Sequence, residues 1–347
     1  MNSDLISIIY EITKKFRDPI SNKTFDRNNE DVKISHKDGH INIAIIINPN
    51  NRSKYDDLSI KLKESLKKVP DLLSVNIILT SEKKTESNNN EHTKFQNPAK
   101  NIIAIASGKG GVGKSTFAVN FAVSLEKLGN KVGLLDADIY GPSVPRMMGI
   151  SGKPVSNNNN KLIPLKNYNV SCMSIGFLID VDTPAIWRGP MVMKALEQMF
   201  NGVEWGDLDY LIIDLPPGTG DAQLTLAQNS KLTGSIIIST PQDVALIDVR
   251  KGINMFNKVN VPILGIVENM SYFICSNCNE KHEIFSNGGA KKEADKYNVK
   301  FLGELPINKN IRIYSDEGNP ICVAEPNDTI SIKYSNIVKE IQKDISN

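Results

Sequence analysis

The chain has 347 residues, 40% of them hydrophobic, which is enough to bury one large core and a second small one. Its 41 basic and 39 acidic residues leave a net charge of +2, so the composition indicates neither a nucleic-acid partner nor an anionic membrane surface. The 4 cysteines are too few for a disulfide scaffold, and no apolar run approaches the roughly 20 residues of a membrane span. The first residues also lack the composition of a targeting segment. We therefore expect a soluble cytoplasmic protein with no nucleic-acid and no membrane partner.

Residues 1–80 have the pattern of a small α+β domain. The apolar spacing predicts helices over 4–16 and 54–68, and strands over 31–35, 40–47 and 74–80. Residues 81–100 are polar, lack periodicity and hold a proline just before the next strand. This composition is typical of a linker between two domains.

Residues 101–347 alternate strands with helices, which is the pattern of a doubly wound, mainly parallel sheet in an α/β domain. The predicted strands cover 101–106, 131–136, 170–175, 209–214, 234–240, 261–267 and 300–305. The predicted helices cover 116–128, 191–200, 222–228, 244–257, 289–297 and 329–343. In such a domain, ligands bind at the carboxyl ends of the strands.

A glycine-rich segment joins the first of these strands to the first helix, and its spacing is that of a complete phosphate-binding loop. Glycine lets backbone N–H groups curl around phosphate oxygens, and the helix N-terminus adds partial positive charge. Lys114 is placed to reach the β- and γ-phosphates, and the Ser115 hydroxyl to bind Mg²⁺. The segment therefore predicts a P-loop NTPase domain whose ATP-binding residues are Gly108, Lys109, Gly110, Gly111, Val112, Gly113, Lys114, Ser115 and Thr116.

Lys109 is a second lysine directly after the first glycine of the loop, and the ordinary loop does not require it. It indicates the deviant branch of P-loop ATPases, in which this lysine crosses a dimer interface. There it stabilises charge on the phosphates bound by the partner, much as an arginine finger does. We therefore predict catalytic roles for both Lys109 and Lys114.

Four polar residues follow predicted strands in positions that suit a nucleotide site. Asp214 ends an apolar strand and is predicted to hold the Mg²⁺ hydration shell, with Asp136 near the same shell. Asp138 is predicted to position the attacking water. Asn269 follows a later strand and is predicted to contact the adenine edge through its amide. Each of these residues could instead be a helix cap or a turn former, since Asp and Asn favour those positions.

Cys275 and Cys278 form a CxxC pair in a segment that also holds His282. Two thiolates at this spacing can grip one metal centre, but they supply only half of the ligands that a tetrahedral zinc or cluster site needs. A two-fold dimer would complete the set by placing two such pairs face to face. A redox dithiol, a zinc site completed by His282 and two incidental cysteines remain open. Cys172 and Cys322 stand alone in apolar surroundings, which is typical of small core residues.

Six motifs together resemble the Mrp, or ApbC-like, family of iron–sulfur cluster carrier ATPases. They are GKGGVGKST from Gly108, LLDADIYGPSVPRMMGI from Leu134, PAIWRGPMVMKALEQ from Pro184, LIIDLPPGTGD from Leu211, TPQDVALIDVRKGINMF from Thr240 and VENMSYFICSNC from Val267. The resemblance implies an ATP-hydrolysing homodimer that holds a labile 4Fe–4S cluster through Cys275 and Cys278 of each chain. It also implies that the cluster passes to apo-iron–sulfur proteins.

Residues 1–80 are similar to the small domain that is fused to bacterial members of this family. Many such domains carry a cysteine after the central strand, whereas residues 48–52 of this chain contain none. At this point the chain departs from the family, so the resemblance does not support a cluster role for the N-terminal domain.

Two functions of other classes also fit the motifs. A membrane-surface partitioning ATPase shares the deviant loop and should carry a basic amphipathic C-terminal helix, whereas residues 330–345 mix both charges. A zinc-bound regulatory ATPase would use the CxxC pair for a structural metal.

Overall fold

The computed structural model describes residues 2–26, 29, 31–37, 40–47, 51–66, 69, 72, 74–80, 97–178 and 189–346. The chain divides into two compact units, Met1–Glu91 and His92–Asn347. Residues 81–96 of the predicted linker lie outside the described residues, as do residues 184–188 of the motif that begins at Pro184. The last two residues of the predicted linker, Ala99 and Lys100, already belong to the first strand of the second unit.

The described residues of the first unit form a three-stranded sheet and two helices. Its elements are α1 (Asn2–Thr13), β1 (Val32–Lys37), β2 (His40–Ile46), α2 (Arg52–Leu66) and β3 (Ser74–Thr80). β2 pairs antiparallel with β1 and parallel with β3. Alternate residues of a strand share one face, so Ile41, Ile43 and Ile45 all enter the core, where Leu62 and Leu66 of α2 belong to the same cluster.

The described residues of the second unit mainly alternate strands and helices. Short elements interrupt the alternation after β5, after β10 and before the last helix. In chain order the elements are β4 (Ala99–Ser107), α3 (Lys114–Lys127), β5 (Val132–Asp136), α4 (Val144–Met147), β6 (Leu165–Asn167), β7 (Val170–Ser174), α5 (Gly189–Asn201), β8 (Leu208–Asp214), α6 (Asp221–Asn229), β9 (Gly234–Ser239), α7 (Asp243–Lys258), β10 (Ile263–Glu268), β11 (Phe273–Ile274), β12 (Lys281–His282), α8 (Gly289–Tyr297), β13 (Phe301–Glu304), α9 (Lys309–Glu317), α10 (Ile321–Ala324) and α11 (Thr329–Ser346).

Among the described residues, eight strands form one sheet in the order β13-β10-β9-β4-β8-β5-β7-β6. Every neighbouring pair is parallel except β6 and β7, which pair antiparallel at the edge. The predicted doubly wound, mainly parallel sheet is therefore confirmed. β4 lies in the interior of the sheet between β8 and β9, so its carboxyl end points into the region where such folds bind ligands.

The interior strands are buried on both faces because helices cover the sheet on both sides. β9 is buried along its whole length, and so is β5. α3 is buried almost all round, and Phe117 on this helix stacks on Phe121 at 5.5 Å between ring centroids. The centroid of the Phe117 ring also lies 5.6 Å from that of Tyr334 on α11, and α11 covers α3.

Several short elements were not predicted from the sequence. β6, α4, α10 and the two strands β11 and β12 have only two to four residues each, too few to show a period. α9 has nine residues and buries none of them fully, although Ile311 and Tyr314 on it pack against the core.

The turn from β4 into α3 depends on glycine at particular positions. Gly111 and Gly113 have φ values of +82° and +84°, in the left-handed region that disfavours other residues. A Cβ atom on Gly113 would also lie 2.2 Å from Nδ2 of Asn269. Gly110 has no atom within 4 Å of such a Cβ and does not have a positive φ. Only some of the loop glycines are therefore required by the fold itself.

We predict that Gly113→Ala lowers the free energy of unfolding of the ligand-free protein by at least ~1–2 kcal/mol, the cost of left-handed backbone at a residue with a Cβ. Gly110→Ala is the matched control and should change it by less than ~0.5 kcal/mol. Urea unfolding followed by tryptophan fluorescence measures this in the second unit, because both tryptophans, Trp187 and Trp205, lie there. Equal destabilisation by the two substitutions would contradict the prediction.

Candidate nucleotide and metal site

The carboxyl ends of β4, β5 and β8 surround a cavity of about 180 Å³. Its lining includes the phosphate-binding loop together with Asp138, Ser143 and Pro217. A larger cavity of about 440 Å³ lies beside Lys131 and Trp205, and none of the predicted site residues line it. The smaller cavity is therefore the one that contains the predicted site residues.

Lys114 is the first residue of α3 and is only 6% exposed. Its ammonium donates to Oδ1 of Asp214 at 2.6 Å and to the Ser115 hydroxyl at 3.3 Å, and it lies 3.8 Å from Oδ2 of Asp138. A buried charge is strongly unfavourable unless it is paired, so the carboxylates hold this ammonium at the loop. The arrangement places the main cation of the site where phosphate oxygens would enter.

Asp214 is the last residue of β8 and is fully buried. One of its oxygens binds Lys114, whereas Oδ2 has no hydrogen-bond partner among the described residues. A buried carboxylate oxygen without a partner is costly, which indicates a further ligand. Mg²⁺ prefers hard oxygen donors, and the Ser115 hydroxyl and Asp214 both bind the Lys114 ammonium, so these two residues fit the ion.

Asp136 is fully buried at the end of β5, and the described residues satisfy both of its oxygens. Oδ2 accepts from the backbone N–H groups of Ser143 and Val144, at 3.1 and 3.2 Å, and from the Ser174 hydroxyl at 3.0 Å. Oδ1 accepts from the backbone N–H of Asp138 at 3.2 Å. Burial raises the pKa of Asp136. In the structure this carboxylate anchors the loop from β5 to α4, and its place near the Mg²⁺ shell stays a prediction.

Asp138 lies two residues further on, at the wall of the cavity. Burial raises the pKa of its carboxyl, whereas the positive charge of Lys114 lowers it. The net shift is upward, which suits a group that accepts a proton or orients water. The sequence-based assignment of Asp138 to the attacking water is compatible with this position and stays a prediction.

Lys109 is partly exposed and lines the cavity, and its carbonyl accepts from the Ser107 hydroxyl at 3.0 Å. Within the part of the chain that the structure describes, its ammonium forms no ion pair, unlike that of Lys114. Lys109 is thus available to a group from outside the subunit. Its action across a dimer interface remains a prediction.

Asn269 follows β10, and its side chain contacts the backbone of the phosphate-binding loop. Its Nδ2 donates to the Val112 carbonyl at 2.9 Å, and the same atom lies against Gly113. The amide therefore supports the loop in the structure, whereas its predicted contact with adenine stays a prediction.

The CxxC pair lies on the hairpin formed by β11 and β12. The backbone N–H of Cys275 donates to the Glu280 carbonyl at 3.0 Å, and that of Asn279 donates to the Cys275 carbonyl at 2.9 Å. Cys275 is partly exposed and Cys278 is exposed, and neither forms a disulfide. Hydrogen bonds from the backbone N–H groups of Cys278 and Asn277 lower the pKa of Cys275, because they favour the thiolate. Thiolates are the form that binds metals.

The other two cysteines are buried, as the sequence predicted. Burial raises the pKa of Cys172, and it also raises that of Cys322, to about 11. Both therefore stay as neutral thiols in the core.

The sequence missed one group beside the cysteine pair. Donor atoms of Cys278, Glu280 and His282 lie within 4.8 Å of one another. The sequence indicates His282 as a possible zinc ligand but does not indicate Glu280. These residues are brought together by the pairing of two strands of two residues each, which are too short to show a period.

Among the described residues, none of the helices combines the length and the apolar character needed to span a membrane. The C-terminal helix α11 packs on the core. It buries Ile330, Ser331, Tyr334, Ile337, Val338 and Ile341.

Comparison with known proteins agrees with this geometry. A family model described as ParA, NUBPL iron-transfer P-loop NTPase, matches residues 98–342. The "Iron-sulfur protein required for NADH dehydrogenase, mitochondrial" of Arabidopsis thaliana is 56% identical over 245 residues, covering 70% of this chain and 78% of the relative. The "Iron-sulfur cluster carrier protein" of Aquifex aeolicus is 50% identical over 246 residues, covering 70% and 68%.

One solved structure that is similar to this chain contains a bound nucleotide. The nucleotide-binding protein of Archaeoglobus fulgidus, in complex with ADP, matches with a TM-score of 0.58 at 41% identity, covering 67% of this chain and 90% of that one. The resemblance to iron–sulfur carrier ATPases is therefore confirmed over the second unit. The family model alone spans more than half of the chain, and the chain belongs to the NUBPL iron-transfer family of P-loop NTPases.

Proposed function

We propose that this protein is a Mg²⁺-dependent ATPase that carries a 4Fe–4S cluster between two subunits and delivers it to apo-iron–sulfur proteins. The observation that carries the proposal is the exposed pair Cys275 and Cys278 in the unit that contains the phosphate-binding loop. The relatives that are named as iron–sulfur carriers support this choice over a partitioning or zinc-regulated ATPase. The chemistry of exposed thiolates suits a reducing compartment such as the cytoplasm.

The nucleotide chemistry follows from the charges in the cavity. Arriving phosphates would compete with Asp214 for the Lys114 ammonium, which lies 2.6 Å from that carboxylate. Asp214 and Ser115 would then hold Mg²⁺, which supplies further neutralisation of phosphate charge. Asp138 would orient the water for in-line attack on the γ-phosphate, and Lys109 would act on the nucleotide of the partner subunit.

The cluster chemistry follows from the number of ligands. A 4Fe–4S cluster takes four cysteine thiolates, and each hairpin presents two. An isologous two-fold interface repeats the same patch on both subunits, so it can bring two hairpins together. The cluster would therefore require the homodimer.

We expect Lys114→Ala to abolish productive ATP binding, because no other ammonium of the loop is held against Asp214. Lys109→Ala is the matched control: it should still bind ATP but lose hydrolysis, since its role lies across the dimer interface. Isothermal titration with ATP and a phosphate-release assay separate the two effects. Unchanged ATP affinity in Lys114→Ala, or equal loss of affinity in both variants, would contradict the division of roles.

We expect reconstituted protein to hold about four iron atoms per dimer, the content of one 4Fe–4S cluster. Cys275→Ala and Cys278→Ala should each remove most of this iron and leave ATP binding intact. Cys172→Ala and Cys322→Ala are the controls and should keep the iron, because both thiols are buried in the core. Iron analysis and visible absorption measure the content, and a Cys275→Ala, Cys278→Ala double variant with a full spectrum would refute the carrier function.

We also propose that residues 1–80 form a domain separate from the ATPase, joined to it by the linker up to residue 98. The two hydrophobic clusters share no residue, which supports independent folding.

A chain that begins at residue 96 should therefore fold, bind ATP and hold the same iron per dimer as the full chain. Circular dichroism, ATP titration and iron analysis of this truncation test the proposal. A truncation that stays unfolded would show that the two parts share a core.

A further inference from the structure

The β11–β12 hairpin brings together more metal-binding atoms than a shared cluster would use. Donor atoms of Cys278, Glu280 and His282 lie within 4.8 Å of one another in a single chain. Cys275 lies three residues before Cys278 in the same loop, which the hydrogen bond from Asn279 N–H to the Cys275 carbonyl closes at 2.9 Å. Three side chains with sulfur, oxygen and nitrogen donors thus converge without any contribution from a second subunit, and Cys275 lies in the same loop.

The backbone of the hairpin accounts for this convergence. Phe273 pairs with His282 across the two strands, so both side chains lie on the same face, with ring centroids 6.4 Å apart. The adjacent residue, Lys281, lies over the ring of Tyr272 instead, at 4.5 Å. The hydrogen bond from Cys275 N–H to the Glu280 carbonyl closes the loop over the six residues from Cys275 to Glu280. His282 is thereby directed toward the same region as the thiols.

We propose that a single subunit holds one divalent transition-metal ion, of the Zn²⁺ or Fe²⁺ class, through Cys275, Cys278, Glu280 and His282. Cysteine sulfur, imidazole nitrogen and carboxylate oxygen are the donors that such ions take in four-coordinate sites. Two thiolates and one carboxylate outweigh the charge of the ion by one unit, which is tolerable because the hairpin is exposed to water. This inference deepens the proposed function, on which it rests for the role of the cysteine pair.

The mononuclear state and the bridging cluster exclude each other, since both require the same two thiolates. A subunit that holds a single ion cannot offer its cysteines to a partner. The ion would therefore keep the carrier in a form without cluster, and release of Glu280 and His282 would accompany assembly of the cluster. The two residues thus distinguish the single-ion state from the dimer-bridging state.

The test uses the full-length protein, freed of metal with a chelator under anaerobic conditions and titrated with Co²⁺ as a spectroscopic probe. We expect thiolate-to-cobalt charge-transfer absorption, intense tetrahedral d–d bands, and native mass spectra with one Co²⁺ per single chain. His282→Ala and Glu280→Gln should each weaken Co²⁺ binding by at least about 10-fold, because each removes a direct donor and even the groups that orient such donors contribute about 10- to 100-fold. Glu283→Gln is the matched control and should bind as the unchanged protein does. His282→Cys should restore binding, because it returns a fourth donor.

One Co²⁺ per two chains, or unchanged affinity in either His282→Ala or Glu280→Gln, would overturn the proposed site. Reconstitution with iron and sulfide keeps this result separate from the carrier function, because His282→Ala should still hold about four iron atoms per dimer. Unchanged protein that binds Co²⁺ in one chain but never takes up a cluster would reject the carrier function and leave the single-ion site standing.

Discussion

The buried ion pair between Lys114 and Asp214 is the interaction on which the nucleotide site depends. It joins the first residue of α3 to the last residue of β8, with 2.6 Å between Nζ and Oδ1. β4 and β8 are hydrogen-bonded neighbours, and the register places Asp214 opposite Ile105. The carboxylate therefore arrives beside the loop through strand pairing, and each charge makes burial of the other tolerable.

The two aspartates that end neighbouring strands have different environments, although the sequence presents them alike. Asp136 directs both oxygens to backbone N–H groups and a hydroxyl, and thereby shapes the loop that carries Ser143 into the cavity. Asp214 leaves one buried oxygen without a partner among the described residues. A carboxylate whose hydrogen bonds are complete is a structural anchor, whereas one with a spare buried oxygen can bind a cation. At the same end of the sheet, Asp136 therefore positions a loop, whereas Asp214 is able to bind a ligand.

A short segment after β10 connects the nucleotide loop to the cysteine hairpin through the backbone. Asn269 binds the Val112 carbonyl on one side, and Ser271, two residues later, donates its N–H to Leu305 and its hydroxyl to Glu268. Glu268 in turn accepts from N–H groups at the start of α8. The Tyr272 carbonyl then accepts from Ile307. Only a few hydrogen-bonded residues therefore separate the loop that would sense phosphate from the hairpin that would hold iron.

The sequence alone determined the parallel sheet, the phosphate-binding loop and the spacing of the CxxC pair, because apolar period and local spacing are properties of nearby residues. It also placed Asp214 at the end of a strand and Lys114 and Asp138 in segments that follow strands, and the carboxyl ends of parallel strands meet along one edge of the sheet. Only the tertiary structure decided that Asp136 and Asn269 form hydrogen bonds with nearby backbone groups. It also decided that Glu280 and His282 lie close to Cys278. These outcomes depend on strand order, on register and on a two-residue strand pairing, which arise from contacts between residues distant in sequence or from elements too short to carry a period.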